Sequence, residues 1–237
     1  MECFIGCSGW FYWHWKGLFY PDDLEQSKWF KHYTKCFNTV ELNSTFYRFP
    51  KPSTAKGWYR QAPPSFIYTL KVNRLITHIK KFKGCNQLIK DFYKVGDEVK
   101  EKMGCFLFQL PPSLKYNKKK LDEIMDQLDL ERSNVLEFRH PSWFTEEVYD
   151  SLKSSGIIFC AVSAPGLPET LVKTADDVYI RFHGKESWYA YEYSKEELKE
   201  WKARIEKLKP KRVWAYFNND ANAYAPFNAL ALKKLLA

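Results

Sequence analysis

Eight short apolar runs recur along the chain, separated by helical patterns, and each closes on a polar, charged or glycine cluster. They fall at about 4–7, 39–43, 66–72, 105–110, 134–138, 157–162, 178–182 and 212–217. In TVELNSTFYR, VLEFRHPSW and VYIRFHG the closing residues stand two apart: Glu41 with Asn43, Glu137 with Arg139, Arg181 with His183. Residues two apart in a strand share a face, and the residue between them points the other way. Leu42, Phe138 and Phe182 are therefore expected on one side and the ionisable groups on the other. A strand buried on both faces should read as unbroken Val, Ile and Leu. Charges gathered on one buried face cost desolvation energy, so their recurrence at strand ends points to a ligand site.

Helical patterns fill the intervals at about 27–37, 54–61, 86–103, 118–128, 146–154, 195–208 and 228–236. Only 164–175, with its Pro-Gly and Leu-Pro pairs, leaves room for no more than a short turn. Ser194 followed by Glu197 predicts a capping box, and Thr145 ahead of Glu146 and Glu147 predicts a helix start. Eight strand–helix units in 237 residues match a single domain, 1–237, folded as a parallel α/β (β/α)8 TIM barrel. An open doubly wound sheet would carry G-x-G-x-x-G after its first strand, and Gly6-Cys7-Ser8-Gly9 is only a glycine turn.

No apolar run reaches eighteen residues, so no membrane helix is expected. The opening MECFIGCSGW lacks the features of a secretory signal, and the chain reads as cytoplasmic. The six cysteines form no C-x-x-C pair and read as free thiols. Net charge is +9, mostly from lysines spread along the helical segments. That is a solvated basic surface, compatible with a nucleic-acid partner or with a small anionic substrate.

On a barrel of this kind the loops after the strands build the site. Glu41 and Lys71 fall at adjacent strand ends and are expected to face each other, either as a structural bridge or with Lys71 as anion anchor or nucleophilic amine. Glu137 beside Arg139 should stay ionised, which suits a base better than an acid. Arg181, Gly184, Asn218 and Asn219 offer a guanidinium, a backbone amide and side-chain amides for an oxyanion, with His183 to shuttle a proton. Trp10, Asn43, Tyr47, Gln109 and Arg139 complete the expected binding residues, and Glu41, Glu137 and His183 the expected catalytic ones. The five histidines show neither H-x-x-x-H nor H-E-x-x-H, so no metal site is expected, and no cofactor is specified.

GCSGWFYWHWKGLFYP, FNTVELNSTFYRFP, KVNRLITH, FLFQLPPS, LEFRHPSW, YIRFHG with YEYS, and YFNND together resemble the family called domain of unknown function 72, or YecE-like. The resemblance spans essentially the whole chain and implies a TIM barrel. It places Gly9, Trp10, Glu41, Asn43, Phe46, Tyr47, Lys71, Thr77, His78, Gln109, Glu137, Arg139, Trp143, Arg181, His183, Gly184 and Asn218 on motif positions. One departure is Ser163, where the family typically carries aspartate. A likeness of such barrels to endonuclease IV motivates a nucleic-acid alternative, although the histidine-rich metal cluster of that enzyme type is missing. The favoured expectation is acid/base chemistry on a small anionic substrate, phosphorylated ones included, at the carboxyl end of the barrel. The other alternative is a non-catalytic metabolite-binding protein.

Overall fold

The computed structural model describes residues 1–237. Its strands are β1 (Glu2–Cys7), β2 (Thr39–Leu42), β3 (Ile67–Lys71), β4 (Met103–Gln109), β5 (Asn134–Glu137), β6 (Ile158–Ser163), β7 (Val178–Phe182) and β8 (Arg212–Phe217). All pair in parallel in the order β1-β8-β7-β6-β5-β4-β3-β2, which is a (β/α)8 TIM barrel. The helices are α1 (Trp29–Cys36), α2 (Ser44–Tyr47), α3 (Pro52–Gln61), α4 (Asn86–Asp97), α5 (Lys118–Met125), α6 (Glu146–Ser154), α7 (Lys195–Leu208) and α8 (Tyr224–Leu236). No α-helix joins β6 to β7, as the prolines and glycine of that stretch imply. No helix is long and apolar enough to cross a membrane.

The period-two pattern sorts the strands into two cores. Leu42, Phe138 and Phe182 pack between barrel and helices in a cluster of 54 buried residues. A second cluster of 10, among them Leu107, Val162 and Tyr179, fills the barrel itself. The lower end is plugged by Phe4 stacked on Trp214, ring centroids 4.2 Å apart, with the indole N–H donating to Asp177. Higher up, the Tyr216 hydroxyl lies 2.7 Å from Thr39 Oγ1 and 2.9 Å from Thr69 Oγ1.

β1 and β2 close the ring without a shared backbone ladder. The Tyr33 hydroxyl from α1 stands in for it, accepting from the Cys7 N–H at 2.8 Å and donating to the Thr39 carbonyl at 2.9 Å. Gly6 makes this approach possible, because a Cβ there would lie 2.4 Å from Thr39 O.

Element edges differ from the sequence reading where backbone geometry intervenes. The helix expected to reach 103 stops at Asp97, and Lys100 takes φ 54° to turn the chain into β4. The last helix starts four residues early at Tyr224, with Pro226 in its first turn, where a missing N–H is harmless. The Ser194–Glu197 capping box forms in full, whereas Thr145 occupies its N-cap without a side-chain hydrogen bond.

Tyr33→Phe keeps the ring and removes both seam bonds, leaving a buried N–H and C=O unpaired. The expected loss is about 1–3 kcal/mol in urea unfolding; an unchanged midpoint would refute the hydroxyl's role in closure.

Candidate functional site

Arg181, on the inward face of β7, is wholly buried between two carboxylates from opposite sides of the barrel. Its Nε and Nη2 donate to Glu41 Oε1 at 3.1 and 2.6 Å, and Nη1 donates to Glu137 Oε2 at 2.7 Å. Glu41 also accepts from the Ser8 hydroxyl at 2.7 Å and the Tyr179 hydroxyl at 2.6 Å. Burial and the Glu41 charge raise the Tyr179 phenol, so it stays a donor. Glu137 is bonded a second time, by Arg139 Nε. Burial alone would raise the Glu137 carboxyl, but the Arg139 and Arg181 guanidiniums hold it well below the usual range.

His183 continues the chain of contacts. Its Nε2 lies 2.8 Å from Arg139 Nη2, and its Nδ1 lies 3.1 Å from the Asn218 amide. Burial, then Arg139 and Arg181, push the imidazole well below its ordinary value, so it is neutral at pH 7. Arg139 can only donate, so a neutral ring accepts at Nε2 and carries its proton on Nδ1, beside the Asn218 side-chain amide, whose Nδ2 is the near atom. His183 therefore serves to aim Arg139, and both its nitrogens are engaged.

The Glu41–Lys71 pair expected from adjacent strand ends does not form, because Arg181 occupies Glu41 instead. Lys71 has no carboxylate within 4.0 Å; its ammonium stands 4.2 Å over the Phe46 ring. Phe46 is held there by α2, whose Thr45 hydroxyl lies 2.5 Å from the Lys71 carbonyl. His78 packs edge-on to the same ring at 4.8 Å, on a single π-turn, Leu75–Ile79. Burial, then Arg181, lower Lys71 from its ordinary 10.5 to about 7, against an opposing pull from Glu137 and Glu41. Burial, then Lys71, lower His78 to about 4. Glu41, Glu137, Arg181 and His183 show no surface to solvent, whereas Lys71 and Gln109 each remain 9% exposed. Lys71 and Gln109 are thus the water-facing floor of the mouth, and Arg139, in an ion pair with Glu137, lies beside them.

The other expected residues divide. Tyr47 is exposed near Phe46, and Asn43 donates to the Ser8 carbonyl at 3.4 Å. Gly184 has no free amide, since its N–H donates to Tyr193 Oη at 2.9 Å. Asn219 turns away to bind the Tyr191 carbonyl and Asn228, fastening the last loop to α8. Trp10 packs on Phe30 and its carbonyl accepts from Tyr20, a structural placement. Of the aromatic first loop, Trp15 and Tyr20 are buried while Phe11 and Trp13 stay exposed. Ser163, at the family's aspartate position, donates to Glu169 at 2.6 Å, so a carboxylate arrives there from the following loop.

Five residues at the site were outside the expected binding and catalytic set. Tyr179 and Ser8 obey the two-apart rule relative to Arg181 and Gly6, a signal that was available. Phe46 and His78 carried only the resemblance as a signal. Trp188 covers the mouth from the loop after β7, with Arg139 4.9 Å from its ring centroid and His183 at 5.6 Å. No set of three or more His, Cys, Asp or Glu side chains converges as a metal centre would require. A cavity of about 560 Å³ opens at the opposite end of the barrel, but its arginines are already paired, Arg132 with Asp97 and Arg212 with Asp177.

Known proteins are similar to this chain. A family described as "Protein of unknown function DUF72" matches residues 4–237. UPF0759 protein YunF of Bacillus subtilis is 26% identical, over 98% of this chain and 94% of its own length. The YecE protein of Escherichia coli K12 is 26% identical over 54% of this chain and 47% of its own. The crystal structure of a DUF72 family protein from Thermotoga maritima superposes with a TM-score of 0.89 at 32% identity, covering 100% of this chain and 99% of that one. One from Enterococcus faecalis reaches 0.85 at 19% identity, a likeness of fold.

Arg181→Met leaves two buried carboxylates without their shared cation and is expected to cost about 3–5 kcal/mol in urea unfolding; a loss under 1 kcal/mol would contradict the array. Lys71→Met is expected to stabilise the fold at pH 7 by about 1–4 kcal/mol. The native Lys71 sheds its proton near pH 7 while the unfolded chain keeps it to about 10.5, so wild-type stability rises across that window. The gap between variant and wild type should therefore narrow toward pH 10; a constant gap would exclude a depressed amine.

Proposed function

The chain belongs to the DUF72 family, and on that premise we propose that it is an enzyme that binds a small anion at the carboxyl end of its barrel and moves a proton there. The observation carrying this reading is Lys71. It is the one charged residue of the mouth without an ion partner, and it faces water.

The local charges support an anionic ligand. Lys71, Arg139 and Arg181 stand against Glu41 and Glu137, so the mouth holds one excess positive charge while Lys71 is protonated. A phosphate or carboxylate beside Lys71 would complete the balance, with Arg139 as its second donor. The roles expected for Glu41 and Glu137 shift accordingly. Each accepts from guanidinium groups out of solvent, and a base must reach the proton it takes. They fix Arg181 and Arg139, while Lys71, which titrates near neutrality, takes over as the acid/base group. His183 orients Arg139, and the exposed Trp188 and Tyr47 flank the entrance as walls for the rest of the substrate.

A second reading rests on the exposed aromatics together with the charge of +9: single-stranded nucleic acid stacking across the mouth. Its mark is affinity that falls steeply with salt. Ligand binding without turnover in a reaction screen would instead assign the same mouth to a metabolite-binding protein.

Thermal unfolding against inorganic phosphate and small mono- and dicarboxylates tests the anion site. At pH 6.5 at least one should raise the wild-type midpoint by several degrees and leave Lys71→Met unmoved. The shift should shrink above pH 8, where Lys71 has lost its proton. Equal shifts in both proteins, or none in either, would reject the site.

A further inference from the structure

We propose that the Lys71 amine forms an imine with an aldehyde or ketone group of the bound anion, so that the substrate class is a small carbonyl-bearing acid such as a 2-oxo acid. This deepens the anion-site reading and rests on it.

The geometry sets Lys71 apart from every other buried amine. Lys102, the only other buried lysine, gives its ammonium protons to the carbonyls of Tyr59 and Ala62 at 2.9 and 2.8 Å, which ties it up. Lys71 donates to no protein group and has no carboxylate within reach. Its Nζ lies on the apolar Phe46 face, which keeps water from one side of the nitrogen. A lysine held this way, close to the fixed cation Arg181, is activated by desolvation and by a like charge. Its value near 7 leaves about half the amine neutral at pH 7, roughly a thousandfold more than an ordinary surface lysine.

The surrounding groups fit the steps of imine formation. The Lys71 nitrogen adds its lone pair to the carbonyl carbon, and the carbonyl oxygen receives a proton that leaves the nitrogen. The resulting carbinolamine gives up its hydroxyl as water when the second nitrogen proton reaches that oxygen, and the C=N bond forms. Amine and carbonyl thus yield imine and one water, with no oxidant or reductant. His78 is the neighbour placed to relay those protons. It packs on the same Phe46 ring as Lys71, and the Thr77 hydroxyl at 2.9 Å engages Nδ1, so Nε2 has no protein partner. Arg139 holds the acid group, and when the imine nitrogen takes up a proton from water the resulting cation is balanced by that acid group.

The test incubates wild-type protein at pH 7 with pyruvate, glyoxylate or the uncharged acetaldehyde, each with sodium cyanoborohydride. The hydride reduces any imine to a stable secondary amine, read by intact mass and peptide mapping. At least one acid should label Lys71 at least tenfold faster than any other lysine and faster than acetaldehyde does. Lys71→Arg, folded by circular dichroism, should lose that adduct. His78→Gln should slow labelling while leaving the anion-dependent thermal shift in place. Labelling spread evenly over surface lysines, or equal in wild type and Lys71→Arg, overturns the imine. If phosphate or carboxylates still shift the wild-type midpoint in that case, the imine alone has failed. If they do not, the anion site has failed with it.

Discussion

Arg181 lies between Glu41 and Glu137 with all three side chains shut off from water, and such an array persists only if every charge is matched. The matching is close to complete. Glu41 collects four donated bonds from three residues, and Glu137 is gripped by two guanidiniums. Replacing the set with well-packed apolar groups would probe stability alone. What the array does for the molecule is orient: it locks β2, β5 and β7 at their carboxyl ends and leaves Lys71 without a counter-ion. Burial and then the Arg181 charge depress the amine, and Glu137 and Glu41, each bonded to an arginine, only partly offset them.

The remaining architecture protects this end of the barrel. The β1–β2 seam, where no ladder runs, is bridged by the Tyr33 hydroxyl in the middle and by Ser8 to Glu41 near the top. The aromatic loop after β1 is fastened to the loop after β8, with the Trp15 indole N–H donating to Asp220 at 2.6 Å. Trp15 and Tyr20 of that loop are buried, so the richest aromatic segment of the sequence serves first as packing. The exposed Trp188, contributed by the loop after β7, is what covers the site itself.

Much of this was legible beforehand, and for an identifiable reason. Strand alternation is a local property, so Glu41, Glu137, Arg181 and His183 could be assigned to the inner face from spacing of two alone. Helix ends were less legible. The helix ends at Asp97 and Lys100, in the left-handed region, turns the chain into β4, while Gly96 lets the helix pack against Phe106, a contact the local pattern does not announce. Gly184 and Asn219 looked like anion ligands by position, but Tyr193 and Asn228 claim their hydrogen bonds. Nothing in the residues flanking either one signals those partners.

The sequence by itself determined the barrel, its two cores and which side chains face inward, because those follow from periods of two and 3.6 repeated along one chain. Which inward charges neutralise one another was decided only by tertiary structure. Strand order suggested Glu41 with Lys71 as neighbours, yet the ring's curvature brings β7 across to β2, and the forked guanidinium of Arg181 reaches two carboxylates where an ammonium serves one point. That choice, made through space across the barrel, is what sets Lys71 free.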